Sequence, residues 1–327
     1  MMSKTMVVVV LLVMGGVTLL ANPAQVQAQL HPAFAPTNLQ LWLDADDAST
    51  IDLDFVTGNV TEWRDKSPNA YHMTEVTDHN KSGVTIPGYD ATGSQFNGRG
   101  TVRFNEKDAL GRALDATGAN IANLPDTENR SIFAAIKPTA YNAANPHQNW
   151  VFSYGQPAEA EWNVMMFIDH GAGSVVDDDT SRTFFVGAGS VEQFGTPDAV
   201  GTPGDTIIWG FEYNDTDASP NIADYEMRIN GVVDAFGVPT NLNPTTGMMT
   251  DLTNGVVVGY GRSAADTNTS DIDFYELLVY DRSLSDSERM QVEGYLTAKW
   301  LPEPTSMVLL LLGIGYTLLY RRQRATR

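Results

Sequence analysis

Residues 274–300 read FYELLVYDRSLSDSERMQVEGYLTAKW and combine a strand with a helix. Phe274–Tyr280 is an apolar and aromatic run that ends at turn-forming residues, which predicts a β-strand. Ser285 and Glu288 then make a capping box, which predicts a helix over Asp286–Lys299. The apolar face of that helix comprises Val292, Tyr295, Leu296 and Trp300. Because such a face must be buried, we expect a sheet beneath the helix.

The chain before this stretch alternates short apolar runs with Gly, Pro, Asn and Asp, a pattern typical of strands and turns. With Phe274–Tyr280, the predicted strands are Leu39–Leu43, Val60–Arg64, Thr101–Phe104, Ser131–Ile136, Trp150–Tyr154, Trp162–Ile168, Thr183–Val186, Thr206–Tyr213, Tyr225–Ile229 and Gly255–Tyr260. Asn230-Gly231 follows one of these strands and predicts a tight hairpin. The polar segments predicted to be surface loops are 65–100, 105–129, 169–182 and 214–224. The pattern therefore predicts an all-β domain with one short C-terminal helix.

Residues 1–28 have the pattern of a secretory signal peptide. Lys4 supplies a basic start, Met6–Leu20 an apolar core, and the small-residue pattern ending at Ala28 a cleavage site. We therefore expect cleavage after Ala28. An uncleaved N-terminal membrane anchor is the alternative.

The C-terminal end, residues 302–327, joins Pro302-Glu303-Pro304 to the apolar run Met307–Tyr320 and a cluster of four arginines. The prolines favour an extended joint, and the apolar run would make a helix about 21 Å long, shorter than the roughly 30 Å hydrocarbon core. The arginines should stay cytoplasmic, which places the preceding chain outside. An ordinary membrane anchor would have these properties. The order of the three parts also resembles the PEP-CTERM sorting signal, which implies that an exosortase-type enzyme cuts near Pro302, Glu303 and Pro304.

The segment between these ends, residues 29–301, is long enough for one all-β sandwich domain with a substantial core. Without the two ends it keeps fifteen basic and thirty-nine acidic residues, a net charge of about −24. That charge repels phosphate backbones and anionic lipid head groups, so nucleic acid is not an expected partner and binding to a membrane surface is disfavoured. The chain has no cysteine, which excludes disulfides and thiolate chemistry.

Three short motifs are similar to those of bacterial LamG-like domains. They are Leu41-Trp42-Leu43-Asp44-Ala45, Trp63-Arg64-Asp65-Lys66-Ser67, and the segment Leu278–Ser285 that precedes the helix. The resemblance spans roughly residues 39–300 and implies a concanavalin A-like jelly roll, in which two curved antiparallel sheets stack. It also implies ligand binding on the concave face or the rim loops. Because these motifs are structural, they indicate the fold better than the function.

The sharpest catalytic candidate is Asp271-Ile272-Asp273-Phe274-Tyr275-Glu276. It is similar to the Glu-x-Asp-x-x-Glu signature of laminarinase-type glycoside hydrolases, although Asp271 stands where that family has a glutamate. Retaining hydrolysis needs two carboxyl groups about 5–5.5 Å apart, and one bulged residue would bring Asp271, Asp273 and Glu276 to one face. Without a bulge, Glu276 faces the other way. The favoured interpretation is that these residues are structural and that the domain has no catalytic residue.

Carboxylates that cluster in predicted loops are the candidate calcium ligands, since Ca²⁺ takes about six to eight oxygen atoms. The clusters are Asp44, Asp46 and Asp47; Asp177, Asp178 and Asp179; and Asp215 and Asp217. None has the spacing of an EF-hand. Acidic loops that are simply solvated are the alternative.

A sugar site would place an exposed aromatic ring beside Asn or Asp. The candidates are Trp150, Trp162, Trp209 and Tyr213. Each lies within a predicted strand, so packing in the core is the favoured interpretation.

These observations predict a secreted protein of the cell surface or exopolysaccharide matrix that acts as a non-catalytic carbohydrate-binding or adhesive module. The expected partners are an exosortase-type processing enzyme and either an extracellular polysaccharide or a surface protein, and calcium is the one candidate cofactor. The alternative is a laminarinase-like glycoside hydrolase that uses Asp271, Asp273 and Glu276.

Overall fold

The computed structural model describes residues 38–75, 86–92, 98–105, 110–112, 129–139, 147–156, 161–169, 180–187, 190–194, 204–214, 225–233, 256–259 and 271–301. The predicted leader with Ala28 and the predicted sorting segment with Pro302, Glu303 and Pro304 lie outside these residues. Among the described residues, no helix is long and apolar enough to cross a membrane.

The described residues form seventeen strands and one α-helix. In chain order these are β1 (Leu39–Asp44), β2 (Ile51–Leu53), β3 (Val60–Trp63), β4 (Met73–Glu75), β5 (Gly88–Asp90), β6 (Thr101–Phe104), β7 (Leu110–Arg112), β8 (Arg130–Pro138), β9 (His147–Gln156), β10 (Glu161–Asp169), β11 (Thr180–Gly187), β12 (Ser190–Phe194), β13 (Ile207–Tyr213), β14 (Tyr225–Ile229), β15 (Val232–Val233), β16 (Val256–Val258), β17 (Ile272–Tyr280) and α1 (Asp286–Trp300). A 3-10 turn, Ala48–Thr50, lies between β1 and β2.

The strands belong to two antiparallel sheets. Sheet A has the order β15-β14-β13-β8-β17-β6-β5, with β1 also paired to β17. Sheet B has the order β12-β11-β10-β9-β16-β7-β4-β3-β2. The prediction of a mostly β domain with antiparallel sheets and a C-terminal helix is therefore confirmed, and each predicted strand overlaps an observed one.

Apolar side chains from both sheets fill the space between them. Sheet A supplies Leu41, Val102, Ile136, Phe274 and Leu277 among others, and sheet B supplies Val60, Trp63, Met73, Val151 and Phe152. Trp63 meets Phe274 edge-on across this interface, with ring centroids 5.8 Å apart. This inter-sheet core makes the two sheets a sandwich.

A second apolar cluster lies on the outer face of sheet A, beneath α1. Its members are Leu39, Trp42, Phe133, Ala135, Ile208, Tyr275, Leu278, Tyr280, Leu284, Val292, Tyr295, Leu296 and Trp300. Every residue of β17 is buried, because one of its faces meets the inter-sheet core and the other meets α1. The predicted helix and its capping box are both present, with the Ser285 side chain accepting from the Glu288 N–H.

Short strands are where the sequence prediction is wrong. The segments 65–100 and 105–129 were expected to be loops, yet they contain β4, β5 and β7. Each of these strands is three residues long, too short to show an alternating pattern. The hairpin at Asn230-Gly231 is confirmed, with both residues at positive φ (52° and 78°) between β14 and β15.

Candidate functional site

The three motifs that carry the LamG-like resemblance meet at one place in the structure. The Trp42 backbone N–H donates to Asp65 at 2.8 Å, and the Lys66 N–H donates to the Trp42 carbonyl at 2.8 Å. These bonds hold the turn after β3 against β1. β1 in turn pairs with β17, where Trp42 lies opposite Leu278. The motifs therefore join sheet A to the turn that follows β3.

The carboxylate of Glu276 lies at the centre of this junction and is fully buried. Its Oε1 accepts hydrogen bonds from Trp42 Nε1 at 2.7 Å and from the Tyr295 hydroxyl at 2.8 Å. Its Oε2 accepts from Trp300 Nε1 at 2.6 Å and lies 2.9 Å from Lys299 Nζ. A carboxylate offers about four acceptor positions, so the donors from β1 and α1 occupy them all.

Lys299 links Glu276 to a second buried carboxylate, Asp44, which lies at the end of β1. Lys299 Nζ donates to Asp44 Oδ1 at 2.7 Å, and Lys66 Nζ donates to Asp44 Oδ2 at 2.8 Å. Lys66 also lies 4.4 Å from the Trp42 ring centroid, within range of a cation–π contact. We call Asp44, Lys66, Glu276 and Lys299 the charge cluster.

The pKa shifts in the charge cluster follow from burial and pairing. Burial raises the pKa of Glu276, against the opposing effect of Lys299. Burial acts to raise the pKa of Asp44 as well, but Lys299 and Lys66 outweigh it and lower that pKa. Burial acts to lower the pKa of Lys299, but Glu276 and Asp44 outweigh it and raise that pKa. Lys299 is therefore held in its charged form between two carboxylates.

The register shift that the hydrolase hypothesis requires is present in β17. The pairing with β8 is irregular between Phe274 and Glu276. Phe274 and Leu277 point into the inter-sheet core, whereas Tyr275 and Glu276 both contact α1 or its neighbours. Asp273 is also fully buried, and the Arg103 guanidinium donates two hydrogen bonds to its carboxylate, at 2.7 and 3.1 Å.

The face of β17 that carries Asp273 and Glu276 is covered by other parts of the domain. Glu276 is sealed beneath α1, and Asp273 is buried and paired with Arg103. Asp271 is partly exposed beside β17, where its carbonyl accepts from the Thr139 N–H at 2.9 Å. Asp273 and Glu276 therefore do not line an open cleft. Their geometry holds strands and helix together.

The acidic cluster near β1 is already neutralised by basic side chains. Asp44 has two lysine partners, Asp47 Oδ2 lies 3.0 Å from Lys66 Nζ, and Asp46 Oδ2 accepts from Arg99 at 2.7 Å. Within the described ranges no group of His, Asp and Glu side chains has the arrangement of a metal site. Lysine and arginine side chains therefore occupy the carboxylates of this cluster, which disfavours calcium there. The other candidates, Asp177, Asp178, Asp179, Asp215 and Asp217, lie outside the described residues.

The aromatic candidates for sugar binding separate into two pairs. Trp209 and Tyr213 of β13 are fully buried in the inter-sheet core, as the core interpretation predicted. They therefore present no ring face to a sugar. Trp150 and Trp162 belong to β9 and β10, but their side chains lie outside the described part of the structure.

The hairpin between β2 and β3 carries an exposed apolar surface that the sequence reasoning missed. In the hairpin tip, Asp54–Gly58, the side chains of Phe55 and Val56 are 101% and 88% exposed, and Leu53 beside it is 44% exposed. The tightness of the tip comes from Asp54, whose Oδ1 accepts from the Val56 and Thr57 N–H groups at 2.9 and 2.7 Å. Turns are normally built from Gly, Pro, Asn, Asp and Ser. The apolar pair Phe55 and Val56 within a turn is therefore the sequence signal for this exposed surface.

No family model matches the chain, and no curated protein matches it. Among solved structures, a Trypanosoma rangeli sialidase in complex with sialic acid is similar at 11% identity and a TM-score of 0.45, over 80% of this chain and 33% of the sialidase. Domain 4 of AbnA, an extracellular arabinanase from Geobacillus stearothermophilus, is similar at 16% identity and a TM-score of 0.45, over 79% of this chain and 98% of that domain. The enzymatically active domain of bacteriophage CBA120 tailspike protein 2 is similar at 13% identity and a TM-score of 0.44, over 68% of this chain and 32% of its own. The chain matches about a third of the length of the sialidase and the tailspike. These structural similarities are distant.

Proposed function

We propose that the protein is exported and acts at the cell surface or in an exopolysaccharide matrix as a non-catalytic carbohydrate-binding or adhesive module. In this proposal the sandwich is a LamG-like jelly roll of the concanavalin A-like class. Its partner is an extracellular polysaccharide or a surface protein. Its C-terminal segment holds the precursor at the membrane until an exosortase-type enzyme processes that segment.

The observation that supports the non-catalytic role is the burial and hydrogen bonding of the Glu276 carboxylate. A glycosidase nucleophile or acid must reach a sugar with a free carboxyl oxygen. Both oxygens of Glu276 are instead occupied by Trp42, Tyr295, Trp300 and Lys299, beneath a helix that contributes to a buried apolar cluster. Exposing this carboxylate would require removal of α1 from sheet A.

The export part of the proposal depends on the two ends of the sequence. Residues 1–28 have the order of parts of a signal peptide, and residues 302–327 have the order of parts of a sorting signal. A net charge of about −24 on the segment between them suits an exported surface protein that does not contact nucleic acid.

The test is to incubate the protein recovered from producing cells with β-glucans and galactans, and to measure both its retention on each polysaccharide and the release of reducing sugar. We expect retention without release. The informative variant is Asp271→Asn, because Asp271 is partly exposed and the substitution leaves the charge cluster intact. If the wild type releases reducing sugar and Asp271→Asn abolishes that release, the non-catalytic role is wrong. Retention on no polysaccharide would restrict the proposal to adhesion to a surface protein.

A further inference from the structure

The hairpin tip projects two adjacent apolar side chains into solvent on a rigid support. Phe55 and Val56 are almost fully exposed, whereas β2 and β3 at the base of the hairpin carry the buried residues Ile51 and Trp63. Isolated exposed apolar residues are ordinary on protein surfaces, whereas a contiguous exposed apolar group can mark a contact site. The tip is therefore a candidate contact surface.

The polar groups of the tip are used within the tip itself. Asp54 Oδ1 accepts from Val56, from the Thr57 N–H and from the Thr57 hydroxyl at 2.9 Å. The Asp54 N–H donates to the Asn59 carbonyl at 2.8 Å, and the Gly58 N–H donates to the Asp54 carbonyl at 2.9 Å. Within the described residues of the tip, these bonds use N–H and hydroxyl groups that would otherwise bind sugar hydroxyls. The surface suits an apolar environment better than a polar ligand.

The charge around the tip excludes an electrostatic contact with anionic surfaces. Asp52 and Glu62 pair with Arg64, the one basic residue of the hairpin, and Asp54 adds a further negative charge at the tip. Burial of one side chain such as Phe55 favours an apolar phase about ten- to hundredfold. Two such side chains make a weak and reversible anchor, comparable to a single acyl chain, which becomes effective only with a second attachment.

The charge cluster brings the end of α1 close to the base of the hairpin. Lys299, two residues before the end of the described chain, is bonded to Asp44, and Lys66 joins Asp44 to Asp47. Asp47 caps the 3-10 turn that leads into β2, so the hairpin base lies beside the end of α1. The hairpin extends about 10 Å beyond that base. The apolar run Met307–Tyr320 follows within a few residues.

We propose that the hairpin tip inserts Phe55 and Val56 into the surface of a neutral or zwitterionic lipid bilayer while the C-terminal segment holds the precursor at the membrane. The tip fixes the orientation of the tethered domain. This inference rests on the membrane-held precursor that forms part of the proposed function, but not on the ligand that the domain binds.

The chain has no cysteine, which allows a direct test with single cysteines. The full chain carrying Val56→Cys is reconstituted into phosphatidylcholine vesicles and reacted with a membrane-impermeant maleimide. The matched control is Met290→Cys on α1, which is 61% exposed. With each rate normalised to the same cysteine in urea, we expect Val56→Cys to react about tenfold more slowly than Met290→Cys.

A second substitution identifies the cause of the protection. Phe55→Ser in the Val56→Cys background should remove the protection, whereas Phe55→Leu should keep it, because only apolarity is required. Equal rates at positions 56 and 290, or protection that survives Phe55→Ser, would refute the insertion of the tip. Protection that appears only when soluble dextran is added would assign the tip to a glycan and also refute it. A full chain that does not associate with vesicles would refute the membrane-held precursor as well.

Discussion

Glu276 resembles a catalytic group in sequence, whereas in the fold its carboxylate is buried and hydrogen-bonded to neighbouring elements. The bulge before it turns its side chain out of the inter-sheet core and toward α1. There it receives two indole N–H groups, one phenol and one ammonium group. Since these donors come from β1 and α1, a single carboxylate attaches both elements to β17.

Glu276→Gln is expected to destabilise the domain by about 3 kcal/mol. The substitution keeps the size of the side chain but replaces one acceptor oxygen by an NH₂ donor. That donor would face Trp300 and Lys299, or else Trp42 and Tyr295, and leave two buried donors without an acceptor. The measurement is the free energy of unfolding from urea denaturation followed by far-UV circular dichroism.

The control for this substitution is Glu62→Gln on β3. Glu62 is paired with Arg64 near the surface, where such pairs contribute little, so the expected change is below about 0.5 kcal/mol. Equal effects of the two substitutions would show that the buried hydrogen bonds of Glu276 do not stabilise the fold.

At the scale of elements, long strands and the helix were predictable and the packing of their faces was not. Phe274–Tyr280 and the capping box at Ser285 are local signals, and β17 and α1 follow them closely. The face that Glu276 occupies depends on a bulge, which a stretch buried on both sides does not reveal. The partners Lys299 and Trp42 are brought to it only by tertiary structure.

The capping box of α1 makes a prediction about pH. Hydrogen bonds from Arg282 and Ser285 lower the pKa of Glu288 from 4.5 to about 2. Because the folded-state pKa is below the unfolded one, the stabilisation is complete above about pH 4.5 and is lost as the pH falls toward 2. Glu288→Gln should therefore reduce stability by about 0.5–1 kcal/mol at pH 7, since the side chain is near the surface.

The measurement compares urea denaturation of wild type and Glu288→Gln at several pH values between 7 and 2.5. The difference in unfolding free energy should shrink as the pH falls. A difference that stays constant over this range would show that the charge of Glu288 does not contribute, and that the variant only weakens the cap geometry.

At the scale of the whole molecule, the sequence patterns at the two ends predict proteolytic removal of both. We expect the leader to be removed near Ala28 and the C-terminal segment near Pro302–Pro304 in a cell that contains an exosortase. Mass spectrometry of the surface-associated protein measures both ends. A mature form that still contained the peptide Met307–Tyr320 would identify that segment as a permanent anchor.

The high negative charge predicts stabilisation by calcium. Many carboxylates on one folded domain repel each other, so a cation held by two or three of them favours the native state. In the described part of the chain, Asp44, Asp46 and Asp47 are already paired with Lys66, Lys299 and Arg99. A calcium site would therefore use Asp177, Asp178 and Asp179, or Asp215 and Asp217.

Thermal melting of the protein in millimolar calcium, in magnesium and in sodium of equal ionic strength separates binding from screening. A hundredfold excess of calcium over its Kd adds about 2.7 kcal/mol, which raises Tm by several degrees at about 2–4 °C per kcal/mol. Replacing Asp177, Asp178 and Asp179 together by Asn should remove the calcium-specific rise if that cluster binds, and Asp46→Asn should not, because Asp46 is paired with Arg99. Equal shifts with all three salts would show that the acidic loops are only solvated.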